Sequence, residues 1–271
     1  DVDVVLAVLG GDDEARIRQR RCFAPSAPLL HHNLLLVGRG GGVGDDFLAL
    51  ELRLPARIIS MLLGDDGVDP ALHGFSQLIE PTETLDQVVL PPEEKTRIVE
   101  LIASYPTLLN AMTSWGLDSV MGYGHGVVLL FCGPSGTGKT LTARAVARHL
   151  GQRLLSVDAS RLTTGSGGFQ ANLDNLFREA RLQNTVLFFD ECEALFGSSG
   201  RGSGQLSSLL ASLERFDGVT ILATNVDKAL DPALDRRVLY RVDFEIPTPS
   251  MREAIWRLHL PPSLPTAEDV D

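Results

Sequence analysis

Gly133-Pro134-Ser135-Gly136-Thr137-Gly138-Lys139-Thr140 decides the fold of this chain, together with the apolar run Val127-Val128-Leu129-Leu130-Phe131 before it and the helical pattern over 141–150 after it. The eight residues satisfy G-x-x-x-x-G-K-[ST] in full, in the strand–turn–helix setting that the pattern requires. Glycines at 133, 136 and 138 let the backbone turn sharply and approach a polyphosphate, so that consecutive N–H groups and the positive end of the next helix meet its oxygens. Lys139 carries a point charge on a stem long enough for the β- and γ-phosphates, and the Thr140 hydroxyl suits a magnesium ion.

Downstream of this loop, strands and helices alternate. Short apolar runs at 154–157, 185–189 and 219–223 are separated by helical patterns at 172–181 and 205–216. Continuous apolar runs between helices predict a parallel sheet covered on both faces, an α/β architecture. Asp190-Glu191 follows the second run and Thr224-Asn225 the third, so their side chains are expected at the carboxyl ends of buried strands, where open α/β sheets bind ligands. Asp190 is placed to complete a magnesium shell and Glu191 to orient and deprotonate a water. Asn225 can hydrogen-bond that water or the γ-phosphate without repelling it. Arg236-Arg237 closes the segment 230–237 with two guanidiniums, whose planar, permanent charge suits a transferring phosphoryl group.

Residues 1–74 read as a separate small α+β module. An apolar helix or strand start at 2–9 and a charged helical stretch at 12–22 precede a break at Ala24-Pro25-Ser26-Ala27-Pro28; two strands at 34–37 and 47–52 flank a glycine-rich connection at 38–44; a short helix at 55–63 ends at Gly64. That pattern suggests a winged-helix-like unit. The glycines at 38–44 are no second nucleotide loop, since no Lys or hydroxyl follows in register and no long helix opens there. A proline-punctuated linker at 75–92 leads into a helix at 93–103, and Tyr123 and His125 sit in a loop before the first core strand.

The net charge of −11 argues against a protein that wraps nucleic acid, which demands clustered cations. Arg16, Arg18, Arg20 and Arg21 form such a cluster but read as the solvated face of a helix. No apolar run reaches the roughly 20 residues of a membrane-spanning helix. Cys22, Cys132 and Cys192 lack C-x-x-C spacing and read as small core residues of a reducing compartment, giving a cytoplasmic expectation. The chain opens at Asp1 with neither an initiator Met nor a basic leader, so its true start is expected upstream.

At this point the chain resembles a known family. The loop at 133–140, Leu187-Phe188-Phe189-Asp190-Glu191, Ile221-Leu222-Ala223-Thr224-Asn225, and Asp231-Pro232-Ala233-Leu234 through Arg237 are similar to the Walker A, Walker B, sensor 1 and arginine-finger regions of AAA+ ATPases. Order and spacing fit over about 84–260. The resemblance implies an ATPase domain at 75–271 that binds ATP and Mg2+, with Gly133, Pro134, Ser135, Gly136, Thr137, Gly138, Lys139, Thr140 and Leu141 at the nucleotide and Thr140 and Asp190 at the metal. It also implies a homo-oligomeric ring, usually a hexamer, in which Arg236 or Arg237 enters the neighbour's site beside Glu191 and Asn225. The N-terminal module and the segment at 85–90 further resemble bacterial AAA ATPases with a winged-helix-like N-terminal region, some of which accompany contractile injection systems.

Two departures from the family pattern shape the functional expectation. Protein-unfolding members present an aromatic–hydrophobic pair to the ring pore; the matching stretch here, Thr163-Thr164-Gly165-Ser166-Gly167-Gly168, has none, and Phe169 is the nearest aromatic. The family's helical lid and its sensor-2 arginine would follow beyond Asp271, so the lid is expected to be truncated or absent. Three readings follow: an ATPase that remodels a protein partner or assembly, a nucleotide-gated scaffold or switch with low turnover, and a DNA-remodelling ATPase, which the acidic composition disfavours.

Overall fold

The computed structural model describes residues 1–24, 26–31, 34–38, 51–64, 67–115, 126–162, 168–196, 202–225 and 231–260. These divide into two compact units, Asp1–Asp69 and Pro70–Asp271. The break falls between 69 and 70, upstream of the position near 74 drawn from the sequence.

In the first unit, helices α1 (Val2–Gly10) and α2 (Asp13–Gln19) each start on an aspartate that accepts a backbone N–H: Asp1 from Val4 at 2.9 Å and Asp12 from Ala15 at 2.6 Å. Such caps satisfy donors that a helix end otherwise leaves unpaired. Val2, Leu6 and Phe23 form a small core with Val5, Leu35 and Leu52 beside it. After α3 (Pro28–His31), strands β1 (Leu36–Val37) and β2 (Leu52–Arg53) pair antiparallel, Val37 opposite Leu52, and α4 (Ala56–Leu62) follows. Past Gly38 the glycine-rich connection lies outside the described residues. Arg16 and Arg18 pair with Asp13 at 3.6 Å and Glu14 at 3.2 Å on the surface of α2, as a solvated face requires. Cys22 is exposed, which corrects its reading as a core residue, whereas Cys132 and Cys192 are buried.

The second unit holds a six-stranded sheet in the order β3 (Ser76–Ile79), β5 (Leu154–Asp158), β6 (Val186–Asp190), β7 (Val219–Thr224), β4 (Val127–Cys132) and β8 (Tyr240–Asp243). Every neighbour pair is parallel except β3 with β5. The alternating α/β architecture expected from the sequence is therefore present, with one antiparallel edge strand added. β3 occupies what reads in the sequence as the start of a linker. Its half-exposed, mixed-polarity residues and the proline just after it hide an edge strand, which buries less than a central one. β8, on the other edge, is hidden for the same reason: within it only Val242 is buried.

Helices cover both faces. α5 (Pro92–Ser114) is twice the length expected and places Ile98, Ile102 and Tyr105 along one stripe, against a cluster that includes Leu129, Phe131, Phe188 and Ile221. α6 (Lys139–His149) packs on β5, β6 and β7. On β6 the pleat sends successive phenylalanines opposite ways: Phe188 joins that cluster, while Phe189 meets Phe177 of α8 (Phe169–Gln183), ring centroids 6.1 Å apart. Complete burial of such side chains contributes about 1.5–3 kcal/mol each, which is why these runs become central strands. The short helices α7 (Ala159–Leu162) and α10 (Pro232–Asp235), with α9 (Gly202–Leu213) and α11 (Pro249–His259), complete the unit. None of the described helices is long and apolar enough to cross a membrane.

Candidate nucleotide site

The chain runs from β4 across to β5, two strands beyond its neighbour β7, and returns through β6 and β7. The carboxyl ends of β4, β6 and β7 therefore open side by side at the point where the strand order reverses, the crevice in which such sheets bind ligands. Three loops meet there: 133–138 after β4, the turn after Asp190, and Asn225 after β7.

Gly133 is pinned between two strands. Its N–H donates to the Thr224 carbonyl at 3.1 Å, its φ is 144°, and a Cβ would collide with the Phe244 carbonyl, so only glycine fits. Gly138 takes φ 102° and sets the entry to α6, whose first residue is Lys139. Lys139 is 93% buried (7% exposed), and its ammonium donates to the carbonyls of Gly133 at 2.6 Å and Pro134 at 2.8 Å and to Asn225 Oδ1 at 2.9 Å. Burial lowers its pKa, and the nearby Asp190 and Glu193 carboxylates act in the opposite direction. All three acceptors are uncharged oxygens, so an anionic phosphate oxygen is a stronger partner for the same donors.

Ser135, Gly136, Gly138, Lys139, Thr140, Leu141, Asp190, Glu191 and Asn225 line one cavity of about 280 Å3. Asp190 ends β6 and accepts its neighbour's N–H, from Glu191, at 3.0 Å. Glu191 adopts φ 55°, a left-handed conformation uncommon for a residue with a side chain. That turn releases the chain from the strand into the 3-10 segment Cys192–Ala194 and leaves Glu191 exposed at the cavity. Thr140 and Asp190 are hard oxygen donors. Among the described residues no group of three His, Cys, Asp or Glu could hold a metal.

Arg236 and Arg237 are absent from the cavity lining. They follow the single turn α10, capped by Asp231, which accepts from the Ala233 N–H at 2.8 Å. Arg237 is paired to Glu214 of its own chain, both side chains about one-third exposed (33%), while Arg236 lies at the surface. Glu193 is a residue that sequence reasoning passed over. Its carboxylate accepts from Thr224 Oγ1 at 3.1 Å, from Asn225 N at 3.3 Å and from Asn225 Nδ2 at 3.1 Å. The only signal for it was a third acid in Asp190-Glu191-Cys192-Glu193. Tyr123, His125 and the stretch 163–167 lie outside the described residues, and Phe169 is the half-buried first residue of α8.

Residues 129–249 match the model of the AAA family, described as ATPase family associated with various cellular activities. The chain carries an AAA domain. Ahead of it, residues 1–76 match a variant winged helix domain. Relatives of the AAA domain include a protein named "Uncharacterized AAA family ATPase y4kL" of Sinorhizobium fredii, 33% identical over 67% of this chain and 56% of that protein. The "26S proteasome regulatory subunit 8" of Caenorhabditis elegans is 34% identical over 62% of this chain and 42% of its own length. The "Probable inactive ATP-dependent zinc metalloprotease FTSHI 2, chloroplastic" of Arabidopsis thaliana is 38% identical over 53% of this chain and 18% of its own length. The aligned part thus amounts to between 18% and 56% of these relatives. An AAA domain implies nucleotide binding.

Proposed function

We propose that this protein hydrolyses ATP with Mg2+ at sites between the subunits of a homo-oligomeric ring, a hexamer in the family pattern, and uses that turnover to remodel a protein partner or assembly. The observation that carries the reading is the convergence of Lys139, Thr140, Asp190, Glu191 and Asn225 on one cavity at the switch point of the sheet. The backbone of 133–140 and Leu141 cradles the nucleotide, and Lys139 exchanges its carbonyl partners for the β- and γ-phosphates. Thr140 and Asp190 would hold the magnesium ion, which neutralises charge on those phosphates. Glu191, exposed at the cavity, takes a proton from the water that attacks the γ-phosphorus, and Asn225 orients that water; ADP and inorganic phosphate leave.

The arginine that completes the site comes from a neighbouring chain. Arg237 is held by Glu214 within its own chain, which favours the exposed Arg236 as the group offered outward. The winged-helix-like unit is proposed to recruit the partner. Residues 1–69 carry eleven acidic side chains against seven arginines and no lysine, a net −4 that disfavours a duplex-DNA surface. The lack of an aromatic–hydrophobic pair in 163–168 supports a second reading, a nucleotide-gated scaffold with low turnover. Phosphate release by the full chain decides between them: turnover in Mg2+ that EDTA abolishes supports the ATPase, and ATP binding without release supports the scaffold.

A further inference from the structure

The proposed chemistry needs the Asn225 amide to face the cavity one way round, and an amide has two ends of nearly equal shape. Its surroundings distinguish them. A carboxylate only accepts and an ammonium only donates, so Glu193 at 3.1 Å from Nδ2 and Lys139 at 2.9 Å from Oδ1 fix the orientation from both sides. The chain of contacts continues from Glu193 Oε2 to the Asn225 N–H at 3.3 Å and to the hydroxyl of Thr224, which is buried at the end of β7. Glu193 itself is half-buried and does not line the phosphate cavity.

We propose that Glu193 is a positioning residue for ATP hydrolysis, acting through Asn225. When Lys139 engages phosphate it gives up Asn225 Oδ1, and Glu193 alone then keeps that oxygen turned to the cavity, where it accepts a hydrogen bond from the attacking water beside Glu191. A carboxylate that merely tied the turn Cys192–Ala194 to β7 would need only Thr224 and the Asn225 backbone. The bond to the side-chain amide is the one that such a tie leaves unexplained. The inference rests on the hydrolysis reading above.

The test is steady-state turnover and ATP affinity for wild type, Glu193→Gln, Glu193→Asp, Glu193→Ala, Asn225→Ala and the double variant Glu193→Gln/Asn225→Ala. Glu193→Gln keeps the shape but turns an NH2 toward one of the donors. It is expected to lower kcat about ten-fold or more, the worth of one hydrogen bond to a charged group, with KM for ATP unchanged. Glu193→Asp, which retains both acceptor oxygens, keeps more of kcat than Glu193→Ala. The double variant is no slower than Asn225→Ala alone, because the group that Glu193 positions is already gone. Wild-type kcat in Glu193→Gln, equal losses in the Asp and Ala variants, or penalties that multiply in the double variant would each overturn the inference and leave hydrolysis standing. A wild type that binds ATP without turning it over would remove the hydrolysis reading, and this inference with it.

Discussion

The phosphate side and the arginine side of the AAA domain are built by opposite rules. On the phosphate side Lys139 is almost fully buried, its three donors are directed inward, and Asn225 and Glu193 extend the chain of hydrogen bonds. On the arginine side a single helical turn ends in Arg236 at the surface and Arg237 in an ion pair one-third exposed. A lone chain thus holds a closely hydrogen-bonded loop, proposed to cradle a polyphosphate, together with a cation that does not line its cavity. The difference teaches that the fold packs the half of the site proposed to bind, and leaves the half proposed to trigger turnover at the surface.

The largest effect is expected from breaking the arginine side. Arg236→Ala should lower kcat on the order of 10³- to 10⁵-fold while ATP still binds, because a guanidinium on the transferring phosphoryl group is worth that much. Arg237→Ala, which removes a partly solvated pair of about 0–1 kcal/mol, should shift the melting temperature slightly and turnover far less. The reverse ranking in a phosphate-release assay would exchange the roles of the two arginines.

Next comes chemistry on the phosphate side. Glu191→Gln should reduce turnover about 10²- to 10⁴-fold, the usual worth of a general base, and retain ATP affinity in a binding titration. Normal turnover would contradict the base assignment. The smallest of the three concerns binding alone: Lys139→Ala should weaken ATP by about 1.5–3 kcal/mol, roughly 10- to 150-fold in Kd by calorimetry.

How much of this was legible in the sequence follows the same division. Val127-Val128-Leu129-Leu130-Phe131 and Val186-Leu187-Phe188-Phe189 are apolar without interruption, and a run of that kind has few other places to go than the middle of a parallel sheet. The loop residues follow β4, Asp190 and Glu191 lie at the end of β6 and Asn225 follows β7, so their meeting in one cavity could be anticipated from local order. Edge strands β3 and β8 bury one side at most and carry no such run. The ties Glu193–Asn225 and Glu214–Arg237 join residues 32 and 23 positions apart. Nothing in either sequence neighbourhood specifies its partner; only the folded sheet brings them together.

In the proposed ring one chain's phosphate cradle works with another chain's arginine, and mixing two crippled variants tests that sharing most directly. Lys139→Ala lacks the ATP contact but keeps Arg236; Arg236→Ala binds ATP but offers no guanidinium. With ATP held well below the Kd of Lys139→Ala, each alone should release phosphate at background rates. Their equimolar mixture should regain turnover well above the sum of the two, because some interfaces then pair an intact cradle with an intact arginine. A mixture that gives no more than that sum would contradict a site shared between chains.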